Sequence, residues 1–266
     1  MTLPFRQSCL ALVVALGFVL SAPPAFAQDE TFEPTVGQSG KDVVWVPSPD
    51  PLVETMLDMA NVTADDVVMD LGSGDGKTVI AAARRGARAI GVEFNPDMVQ
   101  LSRERAAQAG VDNLASFEEG DLFESDLTRA TVITMFLLPD INLKLRPKIL
   151  DLEPGTRIVS NSFTMGDWEE DFRERVTEGC TTWCTALMWI VPAKVDGAWQ
   201  IDGQSLRFDQ AFQKVTGRLG DTLITVGRLT GREITFEVGE LTYTGTVEGD
   251  TITGTISDGR TFTATR

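Results

Sequence analysis

Residues 67–96 read VVMDLGSGDGKTVIAAARRGARAIGVEFNP, and this run decides how the rest of the chain is arranged. It opens on an apolar stretch that ends in an acid (Val67, Val68, Met69, Asp70). A glycine-rich turn follows (Gly72, Ser73, Gly74, Asp75, Gly76), then a helix-forming segment from Lys77 to Arg85 that Gly86 breaks. A second apolar stretch, Ala89 to Val92, ends in another acid, Glu93. The pattern predicts strand, tight turn, helix and second parallel strand in about thirty residues.

Glycines in such a turn admit positive φ and let a ligand lie against the peptide groups. The helix N-terminus just beyond offers unpaired N–H groups. Glu93 stands nineteen residues after Gly74, where an acid at a strand tip can accept both hydrogens of a ribose diol. A dinucleotide fingerprint needs a third glycine at position 77, and the chain has Lys77 there. Asp70 before the first glycine and Asp75 inside the turn would repel a pyrophosphate. They suit a cofactor with positive charge and no phosphate, and S-adenosyl-L-methionine, with its sulfonium and ammonium groups, is one. NAD is the alternative; a turn with a purely structural role is the third reading.

At 266 residues the chain has room for one α/β domain and something smaller. Its formal charge is −16, or −17 without residues 1–27, whose one charged side chain is Arg6. That balance argues against a nucleic-acid partner and is that of a solvated surface. There is no histidine, which excludes Ser-His-Asp and Cys-His catalysis and disfavours a catalytic zinc. Methyl transfer survives this filter, because it depends largely on aligning a nucleophile with an activated methyl group. We assign no metal ligand and no catalytic residue.

Residues 1–27 read as an export signal: Arg6, an apolar run from Cys9 to Leu20, and Ala25-Phe26-Ala27 before a cleavage point at Gln28. With Asp29, Glu30 and Glu33 beyond, this predicts an exported, periplasmic or extracytoplasmic chain. An uncleaved N-terminal anchor is the alternative, and membrane association is expected only in that case. Residues 28–42 are polar, with Gly and Pro, and read as a loose linker. Ser48 or Asp50 is expected to cap a helix from about Leu52 to Asn61, with Leu52, Val53, Met56, Leu57 and Ala60 as core.

Beyond the opening motif, Asn95 caps and Pro96 starts a helix that stops at Gly110, and a third strand runs from Ala115 to Phe117. Asp121 then sits at that strand's end, where it can accept an adenine amino hydrogen. Ala130 to Leu138 is apolar throughout and reads as a buried central strand, followed by a helix from about Asn142 to Leu152 and a strand from Arg157 to Asn161. Ligands in open parallel sheets bind beyond the carboxyl ends of the strands, where Gly72, Glu93, Asp121 and Leu138 all fall. Glu174–Val176 and Thr185–Pro192 read as a hairpin flanking CTTWC, and in an exported chain Cys180 and Cys184 are expected to be oxidised to a disulfide. From Ala193 on, turn signals recur every eight to twelve residues or so between alternating apolar and polar positions. This predicts six to eight antiparallel strands in a small barrel or sandwich, with no catalytic constellation.

VVMDLGSGDG, GVEFNP and EGDLF, in this order and spacing, resemble the class I S-adenosylmethionine-dependent methyltransferases. DVVWVPSPDPLVETML, GDLFESDL and the FLLP, LRPKI and GTRIVSNSF runs are similar to a branch that includes mitochondrial protein-lysine methyltransferases, over roughly residues 41–192. Those enzymes modify lysines on inner-membrane proteins and carry a hydrophobic N-terminal segment. The resemblance implies a Rossmann-like sheet with helices on both faces. Asp70, Gly72 and Gly74 would cradle the methionine part of the cofactor, Glu93 the ribose, and Asp121 with Leu122 the adenine. Phe136 to Pro139 would form the floor near the methyl group. FLLP replaces the Pro-Pro tetrapeptide of amide and nucleobase methyltransferases, which argues against such substrates and supplies no general base.

The candidate cofactor residues are therefore Asp70, Gly72, Ser73, Gly74, Asp75, Gly76, Glu93, Phe94, Asp121, Leu122 and Phe136. The domains expected are a signal (1–27), a linker (28–42), a methyltransferase domain (43–192) and a small all-β domain (193–266). The acceptor expected is an amine, such as a protein lysine. A non-catalytic exported scaffold is the rival, since a charged cofactor made inside the cell does not cross a bilayer unaided.

Overall fold

Five short strands align in parallel: β1 (Val67–Leu71), β2 (Arg88–Glu93), β3 (Ala115–Glu119), β4 (Val132–Met135) and β5 (Arg157–Asn161). The computed structural model describes residues 1, 2 and 32–266, so the expected signal segment from residue 3 on, and residues 28–31, lie outside the described residues. The antiparallel pair β6 (Phe172–Arg175) and β7 (Thr185–Ile190) completes a seven-stranded sheet in the order β3-β2-β1-β4-β5-β7-β6. The chain walks outward from β1 to β3, then returns to β1's other side for β4. Between β1 and β4 the crossovers therefore diverge and leave a crevice at the carboxyl ends.

Alternate side chains of β1 go to opposite faces, as pleating requires. Val68 joins a core with α1 (Asp50–Met59), α2 (Lys77–Arg84) and α3 (Pro96–Gln108). Met69 and Leu71 join a second core with α4 (Pro139–Leu150). Helices thus cover both faces, the architecture that the sequence resemblance implies.

Three local expectations are corrected. Helix α1 has no side-chain cap: Pro49 occupies the cap position, and the hydroxyl of Ser48 instead accepts a hydrogen bond from Asn161 Nδ2 at 3.0 Å. The apolar run from Ala130 to Leu138 is mostly not strand. A 3-10 turn (Leu127–Arg129) precedes β4, and α4 begins at Pro139, where proline's fixed φ suits the first helical position. The stretch read as a loose linker is tied down where it is described. Gly37 N donates to Trp45 O at 2.8 Å and Trp45 N to Gln38 O at 3.0 Å, closing a small hairpin.

Other local readings hold. Helix α3 starts at Pro96, and the Asn95 side chain accepts from the backbone of Asp97 at 2.9 Å and of Met98 at 3.4 Å. Cys180 and Cys184 are disulfide-bonded in the loop between β6 and β7.

The remaining strands, β8 (Gly197–Ile201), β9 (Gln204–Ala211), β10 (Lys214–Leu219), β11 (Thr222–Thr230), β12 (Glu233–Val238), β13 (Leu241–Glu248), β14 (Thr251–Ile256) and β15 (Thr261–Thr265), close into an antiparallel barrel. Inward-facing Trp199, Phe208, Phe236, Tyr243 and Phe262 fill it. At the bulge of β10, Gly217 has φ +148°, and a Cβ there would lie 1.9 Å from Arg207 O. Barrel and sheet domain meet through Trp168 stacked on Phe212 at 5.9 Å, the Arg228–Asp171 ion pair, and Gln213 Nε2 donating to Glu169 O at 2.7 Å.

Candidate active site

A cavity of about 230 Å³ opens over the tips of β1, β2 and β4. Of the candidate residues, all except Gly76 line it. Gly76 caps α2 at φ +78°, and a Cβ there would come within 2.8 Å of Phe117 and Ser102. Its lack of a side chain serves helix-to-strand packing, and Gly76 itself does not line the cavity.

The turn is built by backbone bonds to the neighbouring strand. Gly72 N and Ser73 N both donate to Val92 O, at 2.9 and 3.0 Å, while Gly72 sits at φ +73° and Gly74 at φ +52°. Glu93 locks the arrangement: one carboxylate oxygen accepts from Gly74 N and the other from Asn95 N, each at 2.9 Å. A single acid thus fixes both the turn and the start of α3. Each of its oxygens retains lone-pair capacity for a further donor, as a ribose diol supplies.

Asp70 is buried behind the turn and accepts from the Thr134 hydroxyl at 2.7 Å. Burial pushes its pKa up to about 7; Thr134 opposes the shift, and Asp75 and Glu93 add to it by repulsion. Among the described residues no cationic side chain forms a salt bridge with Asp70, so the buried carboxyl fits a ligand that brings its own positive charge. The second acid of the turn differs from expectation. Asp75 forms an ion pair with Arg105 of α3, so its charge is already balanced and does not repel anions as the sequence suggests. Lys77, where a dinucleotide site would have glycine, donates to Ser48 O at 3.0 Å and pairs with Asp50 at 2.7 Å.

Asp121 accepts from Phe123 N at 2.9 Å and pairs with Lys41, which holds its carboxyl below the usual range. Lys41 Nζ also lies 4.8 Å from the centroid of Phe94. The 37–45 hairpin therefore lies over the site, and a Cβ on Gly74 would sit 2.6 Å from Trp45 Nε1. Leu122 and Phe136 line the same cavity.

Lys41, Trp45, Phe163 and Trp183 also line the cavity, and sequence reasoning does not single them out. The run DVVWVPSPDP points to the hairpin, since Trp45 lies within it. Phe163 and Trp183 reach the cavity from loops distant in sequence, and no local pattern marks them. Among the described residues no group of three Cys, Asp or Glu side chains converges as metal ligands do.

Residues 70–172 match the model of the ANTKMT methyltransferase domain. A protein-lysine N-methyltransferase of Saccharolobus islandicus is 41% identical over 140 residues, covering 52% of this chain and 87% of the relative. The adenine nucleotide translocase lysine N-methyltransferase of Mus musculus is 36% identical over 104 residues, 38% of this chain and 45% of its own, so the chain spans less than half of that relative. The crystal structure of an RNA methyltransferase from Salinibacter ruber, in complex with S-adenosyl-L-homocysteine, is 47% identical with a TM-score of 0.53. It covers 56% of this chain and 96% of that one. The bound product in this relative favours a sulfonium methyl donor and sets the nicotinamide reading aside. Identity of 41% across most of the archaeal enzyme decides the matter: this chain belongs to the class I S-adenosylmethionine-dependent methyltransferases.

Proposed function

We propose that the enzyme methylates an amine, in particular the ε-amine of a protein lysine, using the strand-tip cavity. The observation that carries this is the mouth itself: Phe136 and Leu138 line it within the run where amide and nucleobase enzymes place a Pro-Pro tetrapeptide, and Phe163 and Trp183 join them from two other loops. The archaeal and mouse relatives are named for lysine methylation, in agreement with an amine acceptor. The Salinibacter relative is named for RNA, yet this chain's formal charge of −16 disfavours binding a polyanion.

Asp70, Gly72 and Gly74 would hold the methionine end of the cofactor, Glu93 its ribose, Asp121 and Leu122 its adenine, and Phe136 the floor. When bound, the cofactor would supply an electrophilic methyl to the amine's lone pair, its sulfur keeping the electrons of the C–S bond, and the nitrogen's extra proton would pass to solvent. The aromatic and aliphatic side chains of the mouth offer no base, so the residues there contribute by orienting the amine and excluding water. The catalytic contribution is alignment.

We further infer export of the mature domain, supported by the leader-like residues 1–27 and by the Cys180–Cys184 bond, which suits an oxidising compartment. Among the described residues no helix is long and apolar enough to cross a membrane, so membrane attachment would rest on the leader. Incubating purified protein and radiolabelled cofactor with separated envelope and cytosolic fractions tests both ideas, when the enzyme is also located in those fractions by antibody. Methyl-lysine in an envelope protein and enzyme outside the cytoplasm are expected. Label in RNA or none at all overturns the acceptor, and enzyme confined to cytosol overturns export.

A further inference from the structure

Phe136, Phe163 and Trp183 come from three separate places: the end of β4, the turn after β5, and the disulfide loop between β6 and β7. Their rings nonetheless meet. Phe136 and Phe163 stack at 5.7 Å and 17°, and Trp183 tilts against both, at 6.0 Å from Phe136 and 5.1 Å from Phe163. All three line the cavity.

Each piece is held by contacts that do not themselves need an aromatic ring. Phe163 O accepts from the Ser160 hydroxyl at 2.8 Å and from the amide of buried Asn142 at 3.4 Å, which fixes the turn. Ser162 N donates to Thr185 O at 2.7 Å and so ties that turn to the strand beyond the disulfide. Trp183 precedes Cys184, and the Cys180–Cys184 bond limits how far its loop can move. Its backbone is at φ +57°, a region that bulky residues avoid. Its side chain is nevertheless 46% exposed, so burial does not repay the unfavourable backbone. An outlier of this kind, held in place by its surroundings at the lip of a cavity, points to a ligand-facing role.

Aromatic faces carry partial negative charge and attract ammonium groups, and this attraction favours methylated ammonium, which is more weakly hydrated. We propose that Phe136, Phe163 and Trp183 form an acceptor port for an alkylammonium head group, with the disulfide loop positioning Trp183. The port takes the incoming amine and retains it after each methylation, so it favours successive transfers to one nitrogen. This inference rests on the amine-methylation reading and names where that acceptor is recognised.

The test uses the full chain saturated with S-adenosyl-L-homocysteine. Choline and its neutral isostere, the alcohol in which tert-butyl replaces trimethylammonium, are titrated and followed by ligand-observed NMR. Choline should bind about fivefold tighter than the isostere. Trp183→Ala should erase the difference, Trp183→Phe should keep it, and the Cys180→Ser, Cys184→Ser double variant should shrink it. Affinity for S-adenosyl-L-homocysteine should be the same in all of them, which shows that each variant is folded. Equal binding of choline and isostere, or discrimination that survives Trp183→Ala, overturns the port while leaving methyl transfer standing. Failure of the wild-type chain to bind the cofactor product overturns both.

Discussion

The chain contains two β-structures that solve burial in opposite ways. The C-terminal barrel closes on its own hydrogen bonds, and five aromatic side chains led by Phe236 fill its inside. The mixed sheet stays open, and its strand order reverses beside β1. Among the described residues, the buried side-chain polar atoms without a hydrogen-bond partner are Ser73 Oγ, Asn142 Oδ1 and Trp168 Nε1, all outside the barrel. Asp70, the carboxyl that burial lifts to about 7, is in the sheet as well. A closed, fully satisfied module contributes stability. An open sheet with an uncompensated acid at its switch point is suited to bind something charged.

The sharpest way to break this contrast is to hollow out the barrel. Phe236→Ala removes a ring with no exposed surface and should lower stability by about 3–5 kcal/mol in urea unfolding. Affinity for S-adenosyl-L-homocysteine should not change under folding conditions; a parallel loss would mean that the barrel shapes the site. Next in size is Glu93→Ala. It leaves Gly74 N and Asn95 N without their acceptor and removes the proposed ribose contact. Calorimetry should register a loss of about 1.5–3 kcal/mol in binding, and unchanged affinity would remove Glu93 from the site.

The smallest effect concerns protons. Asp70 has a folded pKa of about 7 against an ordinary 3.8, so between those values the folded chain keeps a proton that the unfolded chain has lost. Its contribution therefore favours folding at the acid end of that window and is lost as pH rises through about 7. A cationic cofactor has the opposite preference, because it pairs with the ionised carboxyl. Affinity for S-adenosylmethionine should rise about tenfold from pH 6 to 8, within the limit for one linked proton, and Asp70→Asn should flatten the profile. A flat wild-type profile would mean that Asp70 faces no ligand charge.

What can be read from the sequence follows the range of each interaction. The Asn95 cap and the barrel's turns are local, and residues within a few positions specify them; the glycine turn is announced by its own glycines but is held by Val92 and Glu93 on the next strand. The helix start at Pro139 is also local, but the leucines before it imitate strand and mask the signal. Lys41 meeting Asp121 joins positions eighty residues apart, and no periodicity announces it. The same is true of Trp45 against Gly74 and of the aromatic trio, which exist only once the sheet has brought three loops to one end.

A sheet that does not close leaves two flanking strands, β3 and β6, with unpaired backbone. On β6 the sequence is Phe172-Arg173-Glu174-Arg175, exposed throughout. Guanidinium and carboxylate groups crowd that border and discourage another chain from adding itself there by strand pairing. On β3, Glu119 and the Glu118–Arg129 ion pair do the same. The openness that creates the binding crevice therefore comes with charged guards against self-association, and those borders are poor places to introduce apolar substitutions.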